Sequence, residues 1–238
     1  MAISARKKLT VLYLVLLHLV LVVVLLKSDF LERLGEYFNI TEPPVSLSFY
    51  DLTTTYHYSM DDNIPELATL FIGDSHIQGM AVISVTPDAV NFGIGGDTTA
   101  GVLERIQNYT SLTRAKAVVL AVGINDLGRW DNEQFIANYE KVLNSMPEGL
   151  MTVVTAVLPV DERVQNVTVQ NERINAINEK LAQLVANYDQ AIWLDLTERL
   201  VNSNDNLKSE YHVGDGIHLS PAGYAIWTGQ LSGILNKD

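Results

Sequence analysis

The stretch Leu67-Ala68-Thr69-Leu70-Phe71-Ile72-Gly73-Asp74-Ser75 places a short apolar run directly before a polar turn. An uncharged run of this length predicts a strand buried on both faces, as in a parallel sheet covered by helices. Segments with helical spacing of apolar residues separate it from four further apolar runs, at 89–92, 117–122, 151–158 and 191–194. This alternation predicts a three-layer α/β/α domain, flavodoxin-like, with a five-stranded parallel sheet.

Four short polar clusters accompany these runs and carry the candidate chemistry. They are Gly73-Asp74-Ser75, Gly95-Gly96-Asp97-Thr98, Gly123-Ile124-Asn125-Asp126 and Asp215-Gly216-Ile217-His218. The first three follow or adjoin predicted strands, and the loops at the carboxyl ends of parallel strands are where ligand sites form. We therefore expect the clusters to meet at one edge of the sheet.

Ser75 is the candidate nucleophile, and a serine hydroxyl needs a base to remove its proton. His218 lies three residues after Asp215. A single turn can place the carboxylate against one imidazole nitrogen and leave the other nitrogen free to face the serine, which is the division of roles in a hydrolytic triad. The sequence thus predicts Ser75, His218 and Asp215 as catalytic residues.

The other four histidines are weaker candidates for the base. His212 is the alternative base, although no acidic residue lies three positions before it, as Asp215 does before His218. His76 adjoins Ser75, and consecutive side chains on an extended backbone point apart. The last two, His18 and His57, lie in the apolar N-terminal run and in a predicted stalk.

Two further residues are candidate oxyanion donors, besides the backbone N–H of Ser75. Gly96 allows close approach of the backbone, and a helix that begins nearby directs free N–H groups toward an anion. Asn125 follows the third predicted strand and can donate from its side-chain amide. The alternative interpretation of Gly93-x-Gly95-Gly96 as a dinucleotide loop is disfavoured because the third glycine is missing at the required spacing. No spacing typical of metal ligands appears.

With these residues in view, the chain resembles the SGNH (GDSL-type) hydrolase family, whose four sequence blocks carry Ser, Gly, Asn and His in this order. The resemblance covers residues 67–238. The stretch 91–99 is especially similar to the second block of platelet-activating-factor acetylhydrolase catalytic subunits and related bacterial esterases. It implies a five-stranded parallel sheet between helices and no metal or organic cofactor. It also implies a Ser75–His218–Asp215 triad, with an oxyanion hole from Ser75, Gly96 and Asn125.

The resemblance further implies a serine esterase that works through an acyl-enzyme. The expected substrates are short-chain acyl esters, above all acetyl esters, on cell-envelope or surface glycans. Several alternatives stay open: a lysophospholipase or thioesterase for longer acyl chains, an acyltransferase that uses a sugar hydroxyl in place of water, and a non-catalytic, membrane-tethered carbohydrate-binding protein.

The N-terminus carries a long apolar run. Leu9 to Leu26 comprises eighteen residues, of which only Thr10, Tyr13 and His18 are not aliphatic. At 1.5 Å per residue a helix of this length spans roughly 27 Å, close to the hydrocarbon core of a bilayer. Basic residues precede the run, which predicts a cytoplasmic N-terminus and a periplasmic or extracellular catalytic domain. The run ends without a small-x-small cleavage site, so an uncleaved signal anchor is favoured over a cleaved signal peptide.

These features predict four regions: a basic N-terminus (1–8), a transmembrane anchor (9–27), a stalk and lead-in (28–62) and a hydrolase domain (63–238). The formal net charge is −12, and residues 1–27 contain four basic and no acidic residues, so the remainder carries −16. Such a charge argues against nucleic acid as a partner. The chain has no cysteine, which excludes disulfides and a thiol nucleophile.

Overall fold

The computed structural model of the chain describes residues 5–27 and 47–236. Helix α1 (Ala5–Lys27) covers the predicted membrane anchor. The remaining elements belong to a separate compact unit that begins at Ser48. Most of the predicted stalk, residues 28–46, lies outside the described residues.

The compact unit contains the predicted five-stranded parallel sheet, in which the first strand of the chain lies between the second and the third, and the fourth and fifth follow the third. Two predicted strand boundaries were wrong. Leu67 has a φ of 61° and is 66% exposed, so it belongs to a turn that precedes the first strand. The fourth strand ends at Thr155, because neither neighbouring strand extends further to pair with it. The strands are β1 Thr69–Gly73, β2 Ala89–Gly93, β3 Ala117–Ala121, β4 Met151–Thr155 and β5 Ala191–Leu194.

Helices cover both faces of the sheet, because successive strand residues point to opposite sides. The helices of the compact unit are α2 Phe49–Asp61, α3 Ser75–Gln78, α4 Thr99–Ile106, α5 Asn132–Asn144, α6 Asn171–Val185, α7 Thr197–Leu200 and α8 Pro221–Leu235. Leu70 and Ile72 pack with the apolar faces of α4, α5 and α6, whereas Phe71 packs with α3 and with Trp227 of α8.

Helix α2 differs from the prediction for its segment, which was a lead-in without clear periodicity. Ser48 caps the helix by accepting a hydrogen bond from the N–H of Asp51 at 3.1 Å. Its buried residues are His57 and Asp61, and Asp61 accepts hydrogen bonds from the backbone of Thr110 and Ser111. Because the buried side chains of α2 are polar, they leave no hydrophobic period in the sequence. The folded unit therefore starts before the predicted boundary at residue 63.

The topology places three loops at one edge of the sheet. Strand β1 lies between β2 and β3, so the chain moves from β1 to one side of the sheet and later returns to the other side. Such a reversal opens a crevice at the carboxyl ends of the strands. The loops after β1, β2 and β3 carry Ser75, Gly96 and Asn125, respectively.

Candidate active site

Ser75 is the first residue of α3, which begins directly after β1. Glycine is required at the end of β1 because Gly73 lies against β3, where a Cβ would clash with the carbonyl oxygen of Ala121. Asp74 caps the helix through a hydrogen bond of 3.0 Å from the N–H of His76. The sequence therefore places the Ser75 side chain at the crevice on a short, capped helix.

His218 and Asp215 meet Ser75 across the crevice. The Oγ of Ser75 lies 2.9 Å from Nε2 of His218, and Nδ1 of His218 lies 2.6 Å from Oδ2 of Asp215. The other carboxylate oxygen accepts hydrogen bonds from the N–H groups of Ile217 and His218, at 3.0 and 2.9 Å. Partial burial alone would raise the pKa of Asp215, but the hydrogen bonds to these N–H groups and to the imidazole lower it below its ordinary value. The carboxylate is thus ionised and oriented toward the ring.

The candidate oxyanion donors lie on neighbouring loops. Gly96 has a φ of +79° with open space where a Cβ would be, so the backbone conformation rather than crowding favours glycine here. In the described part of the chain, the N–H groups of Ser75 and Gly96 have no hydrogen-bond acceptor. The amide nitrogen of Asn125 donates one hydrogen to the carbonyl of Asp97 at 2.9 Å, and its second hydrogen is available to a ligand.

A buried ion pair supports the Gly96 loop, and the sequence analysis missed it. Arg105 is fully buried: its Nε donates to Asp97 at 2.8 Å, and its two terminal nitrogens donate to the hydroxyl of Tyr109 and to the carbonyl of Gly73. One feature of the sequence could have indicated that Arg105 is buried: it lies on the inner face of α4, beside the apolar Val102. The pair links the residue after Gly96 to the end of β1.

Asp126 connects the loops that carry Gly96 and Asn125. It is fully buried and accepts hydrogen bonds from the N–H and the hydroxyl of Thr99. Burial raises the pKa of Asp126 to about 6, although the hydrogen bonds from Thr99 oppose this shift. The carboxylate thereby attaches the start of α4 to the end of β3.

Side chains of helix α2 hydrogen-bond to two members of these networks, Asp97 and Tyr109. Tyr50 donates to Asp97 at 3.3 Å, and the Tyr109 hydroxyl lies 3.2 Å from Nδ1 of His57. Burial and the neighbouring Arg105 lower the pKa of His57 to about 4, so the ring is neutral and accepts from the tyrosine. His57, predicted to lie in a stalk, is therefore part of the support of the site.

The two remaining candidate bases do not contact Ser75. The expectation that His76 lies on extended backbone was wrong: it belongs to α3, and its ring is buried against the carbonyl of Ile217 at 3.0 Å. His212 does have an acidic neighbour, contrary to expectation, because Asp161 lies 3.4 Å from its Nε2. That partner is distant in sequence, so local spacing did not reveal it.

An open groove of about 530 Å³ begins at Gly96. Phe49 and Tyr50 of α2 form part of its wall, and Arg129 lies in the loop after β3. Apart from Phe49, the side chains that line the groove are polar or charged. They belong to Ser48, Tyr50, Asp97, Thr98, Glu104 and Arg129. Within residues 5–27 and 47–236, no group of three or more His, Asp or Glu side chains is arranged to hold a metal ion.

The sequence and the fold of the chain are similar to those of known proteins. The sequence profile of the GDSL-like Lipase/Acylhydrolase family matches residues 71–226. Platelet-activating factor acetylhydrolase IB subunit alpha1 of Pongo abelii is 30% identical over 177 residues, which cover 71% of this chain and 76% of that protein.

Two solved structures share the fold. One is described as a platelet activating factor from Streptococcus pneumonia; it has a TM-score of 0.73 and 24% identity, and the match covers 88% of this chain and 100% of that one. The other is the acetyl xylan esterase AlAXEase, with a TM-score of 0.60 and 19% identity over 71% of this chain and 99% of that one.

Proposed function

Since the chain belongs to the GDSL-like lipase/acylhydrolase family and is a serine ester hydrolase, we propose that it hydrolyses short-chain acyl esters, chiefly acetyl esters, on cell-envelope or surface glycans. One observation supports the catalytic part of this proposal above all. The Oγ of Ser75, the imidazole of His218 and the carboxylate of Asp215 form a continuous chain of contacts of 2.9 and 2.6 Å. This is the order of groups that acyl transfer requires.

In the proposed mechanism, Oγ of Ser75 attacks the ester carbonyl carbon while Nε2 of His218 takes the hydroxyl proton. Asp215 accepts a hydrogen bond from Nδ1–H and stabilises the imidazolium that forms. The N–H groups of Ser75 and Gly96 and the amide of Asn125 donate to the oxyanion. When the tetrahedral intermediate collapses, Nε2–H protonates the leaving alcohol oxygen. Water then attacks the acyl-serine with His218 again as the base, which releases the acid and restores the Ser75 hydroxyl.

The groove beside Gly96 is one argument for a substrate with a small acyl group on a polar alcohol. Its lining offers carboxylates, hydroxyls and a guanidinium, which can form hydrogen bonds with sugar hydroxyls. Side chains of His218 and Asp215 are 46% and 43% exposed, so the site opens toward solvent and admits a bulky substrate. The similarity to an acetylhydrolase subunit and the fold shared with an acetyl xylan esterase support the same acyl group.

The decisive experiment is a chain-length profile. We expect the protein to hydrolyse p-nitrophenyl acetate and butyrate and to lose about tenfold or more in kcat/KM by eight carbons, because the open groove buries little of a longer chain. Release of acetate from an acetylated polysaccharide, compared with its deacetylated form, would extend the result to glycans. A maximum at twelve to sixteen carbons would instead support the lysophospholipase or thioesterase alternative. That alternative is favoured by one observation, the apolar helix that would bring the enzyme to a lipid surface.

We further propose that residues 9–27 form an uncleaved anchor, with residues 1–8 in the cytoplasm, the stalk from residue 28 and the catalytic domain outside. Residues Arg6–Leu25 form a helix with a mean hydropathy of 2.6, long and apolar enough to be either a membrane span or a signal sequence. The proposal predicts that protein extracted from membranes retains its N-terminal peptide in mass spectrometry. Detection of only a shortened chain in the soluble fraction would contradict it and favour a cleaved signal peptide.

A further inference from the structure

Residues 212–218, here called the base loop, carry both Asp215 and His218 but form no helix or extended strand. Two of its glycines have positive φ, Gly214 at 108° and Gly216 at 77°. The catalytic side chains on this loop are nearly half exposed. Packing of these side chains is therefore too sparse to fix them, and their geometry depends on what holds the loop backbone.

His212 holds the base loop from within. Its Nδ1 accepts hydrogen bonds from the backbone N–H groups of Gly214 and Gly216, at 3.0 and 3.1 Å. A ring nitrogen that accepts carries no proton, so the neutral ring carries its proton on Nε2. Nε2 faces Oδ2 of Asp161 at 3.4 Å, with both side chains buried. The carboxylate thus favours the tautomer in which Nδ1 can bind the two glycines.

His76 holds the base loop from the opposite side. Its Nε2 donates to the carbonyl of Ile217 at 3.0 Å, and a carbonyl can only accept, so this nitrogen is protonated. Its Nδ1 lies 3.3 Å from Oδ1 of Asp74. Ile217 directly precedes His218, whose ring centroid lies 5.6 Å from that of His76. The bond therefore joins the helix of Ser75 to the peptide beside the base.

We propose that His76 and His212 are positioning residues. They hold the base loop from two sides, so that the side chains of Asp215 and His218 keep their positions relative to Ser75. Each histidine lies beside its own carboxylate, Asp74 at 3.3 Å or Asp161 at 3.4 Å. The inference rests on the roles proposed above for Ser75, His218 and Asp215. A displacement of about 1 Å in such a group can cost on the order of 10²-fold in rate.

The two histidines use different ring nitrogens, which allows a test by exchanging isosteric amides. The amide head of asparagine lies near the position of Nδ1, and that of glutamine near the position of Nε2. At position 212 an acceptor is needed at Nδ1, so His212→Asn should keep most of the activity and His212→Gln should lose it. At position 76 a donor is needed at Nε2, so His76→Gln should keep activity and His76→Asn should lose it. We expect each unfavourable amide to lower kcat by about 10–100-fold, with KM within about twofold.

A fluorophosphonate probe gives a readout that does not depend on the ester substrate, because it reacts with the activated serine. The expected result is a crossover. At position 212, Ser75 should be labelled faster in the Asn variant than in the Gln variant. At position 76, it should be labelled faster in the Gln variant than in the Asn variant. A general loss of stability affects both amides at a position alike and produces no crossover. Equal labelling by the two amides at both positions would overturn the inference. Failure of the wild-type protein to label at Ser75 would instead overturn the proposed catalytic site itself.

The low-field proton resonance of the His218 imidazole reports on the same geometry. In wild-type protein we expect a resonance from Nδ1–H in its hydrogen bond of 2.6 Å with Asp215. It should persist in His212→Asn and His76→Gln and broaden in the other two variants. An unchanged resonance in all four folded variants would contradict a positioning role for either histidine.

Discussion

Replacing Ser75 with alanine is expected to lower kcat for ester hydrolysis by about 10⁶-fold, the loss typical of removing a triad serine. The physical reason is that no acyl-enzyme can form without Oγ, so His218 has no hydroxyl to deprotonate. Ser75 is partly exposed, and the loss of its hydroxyl leaves the Asp74 cap of α3 in place. The melting temperature should therefore change little. The measurement is kcat on p-nitrophenyl acetate, with fluorophosphonate labelling alongside.

Asn125→Ala is expected to lower kcat less than the serine variant does. This change removes one proposed oxyanion donor and leaves the proposed nucleophile and base intact, so we expect a loss of about 10²–10³-fold in kcat. It should still label with the probe, more slowly than wild type, whereas Ser75→Ala should not label at all. Hydrolysis by Ser75→Ala at the wild-type rate would exclude Ser75 as the nucleophile.

Asp215→Asn is expected to lower kcat by about 10⁴-fold while leaving the fold unchanged. Oδ1 of Asp215 accepts from two backbone N–H groups, and an asparagine oxygen can keep both bonds. The amide nitrogen would then face Nδ1 of His218 as a donor. Nδ1 would have to accept, so the ring proton would move to Nε2, which would point a hydrogen at Ser75 instead of a lone pair. The base would be lost through the wrong tautomer rather than through a change of structure.

A matched control for this substitution lies elsewhere in the chain. Asp195 is exposed and accepts the N–H of Thr197 at 2.8 Å in a turn of the same kind. Asp195→Asn removes one charge in a similar local setting and should retain wild-type activity. If Asp215→Asn also retained it, the proposed pairing of Asp215 with His218 in catalysis would be wrong. Proton NMR of the imidazole N–H groups of His218 should show the change of tautomer directly.

The support of the Gly96 loop shows why some structural features of the site cannot be predicted from the sequence. Arg105 interrupts an apolar helix face, and only the fold reveals that its partners are Asp97, Tyr109 and Gly73. Helix α2 buries polar side chains, so its segment had no hydrophobic period. Removal of one partner from such a buried pair leaves an uncompensated charge. Arg105 and Asp97 therefore support the site through their contacts with one another.

Local residue patterns were sufficient to predict the sheet and the ester-hydrolase chemistry. Buried parallel strands are uniform apolar runs, and Ser75, Gly96, Asn125 and the Asp215–His218 pair follow in clusters short enough to be recognised locally. The start of the fold and the contacts that hold the site together could not be predicted in this way. His76 with Ile217 and His212 with Asp161 are contacts between segments far apart in the chain. Side-chain spacing encodes neighbours within one turn or strand, whereas such partners are set by the way that separate loops meet at the edge of the sheet.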